Sequence, residues 1–162
     1  MTATIEFPSA LEILLTREFE APINLVFDVM TQPEHVRHHF APFGEEVTVC
    51  EIDLRVGGKY RYVWQADRDG EKMGSGGVYL EIVAPERLVA TEKFDDAWYP
   101  GEAVVTHTFE DKGDWTLLSL RIRYESAAAR DGVIRSPMES GVAAGYDQLE
   151  EMLAAGAGLS AP

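Results

Sequence analysis

The sequence predicts an α+β fold, in which a curved antiparallel sheet of six or seven strands wraps one long C-terminal helix and two short helices follow the first strand. Three observations carry this. From Val47 to Tyr124 apolar and polar residues alternate at period two, broken by turn signals at the intervals of an antiparallel meander. Between Pro22 and His39 the repeat is helical instead. Residues 136–153, SPMESGVAAGYDQLEEML, form an amphipathic run long enough to cover a sheet face.

Residues 11–19 (LEILLTREF) read as a strand that ends at Pro22, where proline stops strand pairing and opens a helix. Ile23, Val26, Phe27 and Met30 repeat at helical spacing, and Thr31 with Glu34 has the spacing of a capping box for a second helix through His39. Ala41, Pro42, Phe43 and Gly44 break it. Strands are then expected at 47–54 and, after Gly57 and Gly58, at 59–66, where Tyr60, Tyr62 and Trp64 alternate with Lys59, Arg61 and Gln65 and point inward. A hairpin at 67–70 leads to strands at 77–83, 87–94, 103–110 and 115–124, with turns at 84–86, 99–101 and 111–114. The last strand sets Leu118, Leu120, Ile122 and Tyr124 against Ser119, Arg121 and Arg123, which implies a sheet with one wet face.

Residues 126–132 read as a loop before the long helix. Ser136 is expected to cap that helix, with Pro137 at its first position and Glu139 completing a capping box. Met138, Val142, Leu149, Met152 and Leu153 form its apolar stripe, with Tyr146 at the margin, and Glu139, Asp147, Glu150 and Glu151 lie opposite. Gly141 and Gly145 fall on the apolar side, although glycine inside a helix costs about 1 kcal/mol relative to alanine. Something other than helix stability selects them; close approach to the sheet is one reason, empty volume another.

A chain of 162 residues with 46% hydrophobic content is read as one domain, 1–162, with a core at about 11–154. Its net charge of -14 repels phosphate backbones and anionic surfaces, which argues against nucleic acid and membrane as partners. The amino terminus lacks the basic start and apolar run of a signal peptide, and no apolar stretch is long enough to span a bilayer, so a cytoplasmic protein is expected. Cys50 is the lone cysteine and reads as a small buried thiol.

TREFEAP at 16–22, LVFDVMTQPEHV at 25–36, IDLRVGGKYRY at 52–62 and GVYLEIVAPERLVATEKF at 77–94 resemble the activator of heat-shock protein 90 ATPase homologue-like family, part of the START-like (SRPBCC) helix-grip superfamily. The likeness runs from about Leu11 to Leu153. It implies a helix-grip domain with a cavity between sheet and terminal helix. Relatives bind lipids, polyketides, hormones or other hydrophobic molecules, some are cyclases, and one eukaryotic branch contacts a chaperone. Two departures stand out: His39, Phe40, Ala41 and Pro42 replace a common tryptophan pair before Gly-Pro, and Val142 and Tyr146 replace a tryptophan and a leucine on the terminal helix. Exchanging tryptophan for valine enlarges a cavity unless neighbours fill it.

Tyr60, Tyr62, Trp64 and Tyr146 either line a pocket or pack as ordinary core. By period two Glu81 shares a face with Tyr79, and His107 with Val105 and Phe109; if both faces are inward, a carboxylate and an imidazole occupy an apolar cavity. The alternative phase puts Val78, Leu80 and Ile82 inside and Glu81 in solvent. On the pocket reading that the resemblance implies, the lining set is Tyr60, Tyr62, Trp64, Tyr79, Glu81, His107, Val142, Gly145 and Tyr146, with His39 and Phe40 at the mouth. His35, His38 and His39 share one side of a helix, but no further ligand at a fixed spacing completes a metal site. Met73, Gly74, Ser75, Gly76 and Gly77 precede a strand and lack the lysine and helix of a phosphate cradle, so they are read as a bulge or edge. No serine sits in a nucleophile elbow.

The leading expectation is a non-catalytic protein that holds a small hydrophobic molecule between sheet and terminal helix, without a cofactor. A cyclase or lyase using Glu81 and His107 is the second. The third is a chaperone- or protein-interaction module anchored by Phe40 and Phe43, and the resemblance also allows a homodimer.

Overall fold

The computed structural model describes residues 4–40, 46–65, 72–95, 101–136 and 138–155. The expected break at 41–44, the hairpin at 67–70, Tyr99, Pro100, Pro137 and the tail from Gly156 lie outside them. In chain order the elements are β1 (Thr4–Glu6), β2 (Glu12–Phe19), α1 (Ile23–Thr31), α2 (Pro33–His39), β3 (Glu46–Ile52), β4 (Lys59–Gln65), β5 (Lys72–Val83), β6 (Arg87–Phe94), β7 (Ala103–Asp111), β8 (Thr116–Arg123), α3 (Ala127–Ile134) and α4 (Met138–Ala155). Among the described residues, the strands form one antiparallel sheet in the order β1-β2-β8-β7-β6-β5-β4-β3.

This order dictates where the helices go. β3 to β8 make a meander, and β8 then pairs with β2, so β2 and β3 lie far apart in the same sheet. The α1–α2 segment that joins them crosses the sheet face, and α4 lies beside it: Phe27 of α1 meets Phe109 of β7 edge to face at 5.3 Å, and Tyr146 of α4 meets Phe19 of β2 at 5.6 Å. Alternation supplies the inner face, with Ile13, Leu15 and Phe19 on β2, Leu118, Leu120 and Ile122 on β8, and Ala103, Val105 and Phe109 on β7 all buried. Arg121 and Arg123 are exposed, as the half-wet sheet requires.

Several local expectations are corrected. The sheet has eight strands, because Thr4–Glu6 adds an edge strand too short to show alternation. Residues 127–134 are a helix, not a loop: the Ser126 hydroxyl accepts from the Ala129 amide at 3.1 Å, and the alanine run that follows favours helix. The Ser136 hydroxyl donates to the Val133 carbonyl at the end of α3. Thr31 donates to the Phe27 carbonyl, so α2 starts after Gln32 with no side-chain cap. The glycine-rich stretch 73–77 lies within β5, whose bulge falls further along, between Tyr79 and Glu81.

The buried residues form three clusters on this one face. The largest joins β2, β7, β8, α1 and α4. The second joins Val36 of α2 to Val47, Cys50 and Trp64, and the third groups Tyr60, Tyr79, Leu88 and Ala90.

Candidate functional site

The site is built on β4 to β7, where partly buried Tyr62 packs against both smaller clusters. β4 points Tyr60, Tyr62 and Trp64 inward as its alternation predicts, and Phe40, the residue after α2, closes on them with ring centroids 4.5 Å from Tyr62 and 5.2 Å from Trp64. Tyr60 lies against Tyr62 and Tyr79 at 5.1 and 5.5 Å. Its hydroxyl reaches past β5 and donates to the Thr91 carbonyl on β6 at 2.6 Å. The residue it is paired with on β5 is Gly77, and a Cβ there would stand 1.9 Å from that same carbonyl oxygen. Glycine is what lets the two strands and the phenol meet. Burial raises the pKa of all three tyrosines, so all three stay neutral.

On β7, His107 takes the inward phase, paired with Leu88 on one side and Leu120 on the other, and stacks on Phe109. Burial lowers its pKa to about 4, so the imidazole is neutral at physiological pH. Two rows along the same face stands Glu92 of β6, paired with Ala103 of β7. Burial alone raises its pKa to about 7, with no hydrogen bond or neighbouring charge among the described residues to offset it. Sequence reasoning missed Glu92, yet the signal existed: it falls in the period-two phase of Leu88, Ala90 and Phe94. Glu92, His107 and Tyr62 are deeply set and nevertheless keep part of their surface accessible.

α4 covers this face from the other side. Val142 is partly buried and packs against the largest cluster. Tyr146 is buried, and its hydroxyl has no hydrogen-bond partner among the described residues. Gly145, expected to line the pocket, instead marks a helix crossing: a Cβ there would stand 2.9 Å from the His39 carbonyl. His39 is not at a mouth. It is buried, its Nε2 lies 3.0 Å from the Val29 carbonyl, and burial lowers its pKa to about 4.

Glu81 is the clearest correction. It is exposed and pairs with Arg87 at 3.3 Å, because the bulge after Tyr79 flips the strand's phase: Tyr79 points in, Leu80 and Glu81 face out, and Ile82 packs on the inner cluster. A Glu81–His107 catalytic pair is therefore ruled out by placement. The three histidines do not converge either, since His39 turns inward while His38 is exposed, and no metal-ligand cluster occurs among the described residues. Open surface hollows of about 380 and 430 Å³ are lined by Glu51, Lys59 and Tyr60 and by Glu18 and Trp115 among others, and neither is lined by Glu92 or His107.

One antiparallel sheet, closed by a long C-terminal helix and a two-helix crossover, with polar groups set into an otherwise apolar inner face, defines a START-like domain of the ligand-binding type. The comparisons agree. The pattern of the family described as activator of Hsp90 ATPase homolog 1-like protein matches residues 20–154, so the chain belongs to that family. A crystal structure from Rhodobacter sphaeroides is similar at 28% identity and TM-score 0.88, over 95% of this chain and 99% of its own. One from Chromobacterium violaceum is 28% identical with TM-score 0.74, covering 88% and 96%. A Mycobacterium smegmatis protein, at 23% identity and TM-score 0.85 over 96% and 99%, shares the fold. A search of curated proteins finds no match. Among the described residues no helix is long and apolar enough to cross a membrane.

Proposed function

We propose that the protein binds a small, largely hydrophobic molecule between the inner sheet face and α4, without catalysis. The observation that carries this reading is the accessible surface retained by Tyr62, Glu92 and His107 inside the fold. The aromatic wall of Tyr60, Tyr62 and Tyr79 offers contact area, and the unpartnered Tyr146 hydroxyl offers an orienting group. Among the described residues nothing on the face pairs an acid with a base within direct reach: Glu92 and His107 are four residues out of register, about 13 Å apart along the strands. A thermal-shift screen of hydrophobic compounds tests the reading, followed by Val142→Trp, which fills space on the helix face. Binders that raise the midpoint and lose at least tenfold affinity in the variant support it. Absence of any binder, or unchanged affinity in the variant, overturns it.

A further inference from the structure

Glu92 is the one group on the inner face whose chemistry the hydrophobic reading leaves unexplained. An acid in that position costs stability, and a glutamine or leucine in the same phase would be cheaper to bury. Its neighbours on the adjacent strands are Gly77, in register on β5, and Ala103 on β7, so no side chain of size flanks it. Among the described residues no cation serves it: Arg17, the buried arginine of this face, is held by Asp147 and Glu150 of α4 at 2.7 and 3.1 Å. Across β5, Tyr60 is paired with the same Gly77 that stands in register with Glu92, so the Tyr60 ring and the carboxylate share one row of the face with no side chain between them, and Tyr62 is the next inward residue on β4.

From this geometry, and resting on the ligand-binding reading above, we propose that the ligand is an amphiphilic amine whose ammonium group is received by the Glu92 carboxylate beside the faces of Tyr60 and Tyr62. A carboxylate supplies the counter-charge and aromatic faces supply a second attraction for a cation. The chain's net charge of -14 draws cations and repels anions, which favours an amine over a fatty acid of the same shape. The positive charge of Arg17 on this face is paired with Asp147 and Glu150, and the other polar groups named here are neutral. Tyr60, Tyr62, Tyr79 and His107 all carry no charge at pH 6 to 8.

Binding of an ammonium group requires Glu92 to be ionised. With its pKa at about 7 in the free protein, amine uptake at pH 6 releases close to one proton, and affinity rises about tenfold between pH 6 and pH 8 while the amine stays protonated. The test uses three probes of one shape: 2-(1-naphthyl)ethylamine, its N-acetyl amide, and 3-(1-naphthyl)propionate, titrated calorimetrically into the full chain. Expected is an amine at least tenfold tighter than the amide, no measurable carboxylate binding, and loss of the amine's advantage in Glu92→Gln with the amide unchanged. Repeating the wild-type amine titration in buffers of different ionisation enthalpy reads the proton release without any variant. A carboxylate probe that binds best, an amine preference that survives Glu92→Gln, or no proton release at pH 6 overturns the proposal while the cavity reading stands. If neither amine nor amide binds, both readings fall.

Discussion

Buried ionisable groups without counter-charges give this protein opposing responses to pH. Glu92 holds its proton more tightly folded, at about 7, than its ordinary value of 4.5. Its native state therefore binds the extra proton between those values, and stability falls as pH rises from 4.5 through 7. Glu92→Gln should gain on the order of 3 kcal/mol over the wild type at pH 8 and little at pH 4.5, read from urea unfolding at both. His107 and His39 work the other way. Both drop from 6.5 to about 4, so the unfolded chain takes up the proton first and stability is lost as pH falls from 6.5 through 4. His107→Phe should remove part of that acid loss, up to about 3 kcal/mol at pH 4, in a pH series of thermal midpoints. Of these groups His107 is legible from alternation. His39 is not, because spacing only sets it on one helix side with His35 and His38 and does not say that it bonds Val29 across the α1–α2 turn.

Among the elements, the joints matter more than the helices and strands themselves. The two glycines on the terminal helix are costly by propensity, and for Gly145 the reason is the His39 carbonyl lying where a side chain would begin. Gly145→Ala gains helix propensity of about 1 kcal/mol but forces α4 from α2, and overpacking costs about 1–3 kcal/mol. The net expectation is a loss of about 1 kcal/mol in denaturant unfolding, larger for Gly145→Val. Helix starts are the least legible feature. Thr31 and Ser136 have the residue types and spacing of caps, yet each hydroxyl turns back to a carbonyl of the preceding helix, at Phe27 and Val133. The Ser126 cap precedes an alanine run whose small residues give no amphipathic signal.

Across the fold, sheet and terminal helix are held together by one buried arginine. Arg17 sits on the inner face of β2, beneath α4, and bonds Asp147, Glu150 and the Ala143 carbonyl. It reaches the helix side that the sequence assigns to solvent, which is why neither carboxylate stands out in the amphipathic pattern. Arg17→Met leaves both carboxylates near water, so it should cost about 2 kcal/mol, less than stranding a fully buried charge. In a chain of this size that lowers the thermal midpoint by about 4–8 °C in calorimetry.

Periodicity is a local property of the chain, and it suffices for the antiparallel α+β fold, the two early helices and the inward phase of Tyr60, Tyr62, Trp64 and His107. The family is legible in the sequence too, from its ordered motifs. Contacts between distant residues decided the rest. A bulge in β5 sent Glu81 outward while Tyr79 stayed in. Period two puts Glu92 on the inner face, but its pairing with Ala103, opposite a glycine, is what left it there without a partner among the described residues. No spacing along one strand encodes either result, because a strand's register and a buried group's satisfaction are set by what packs beside it.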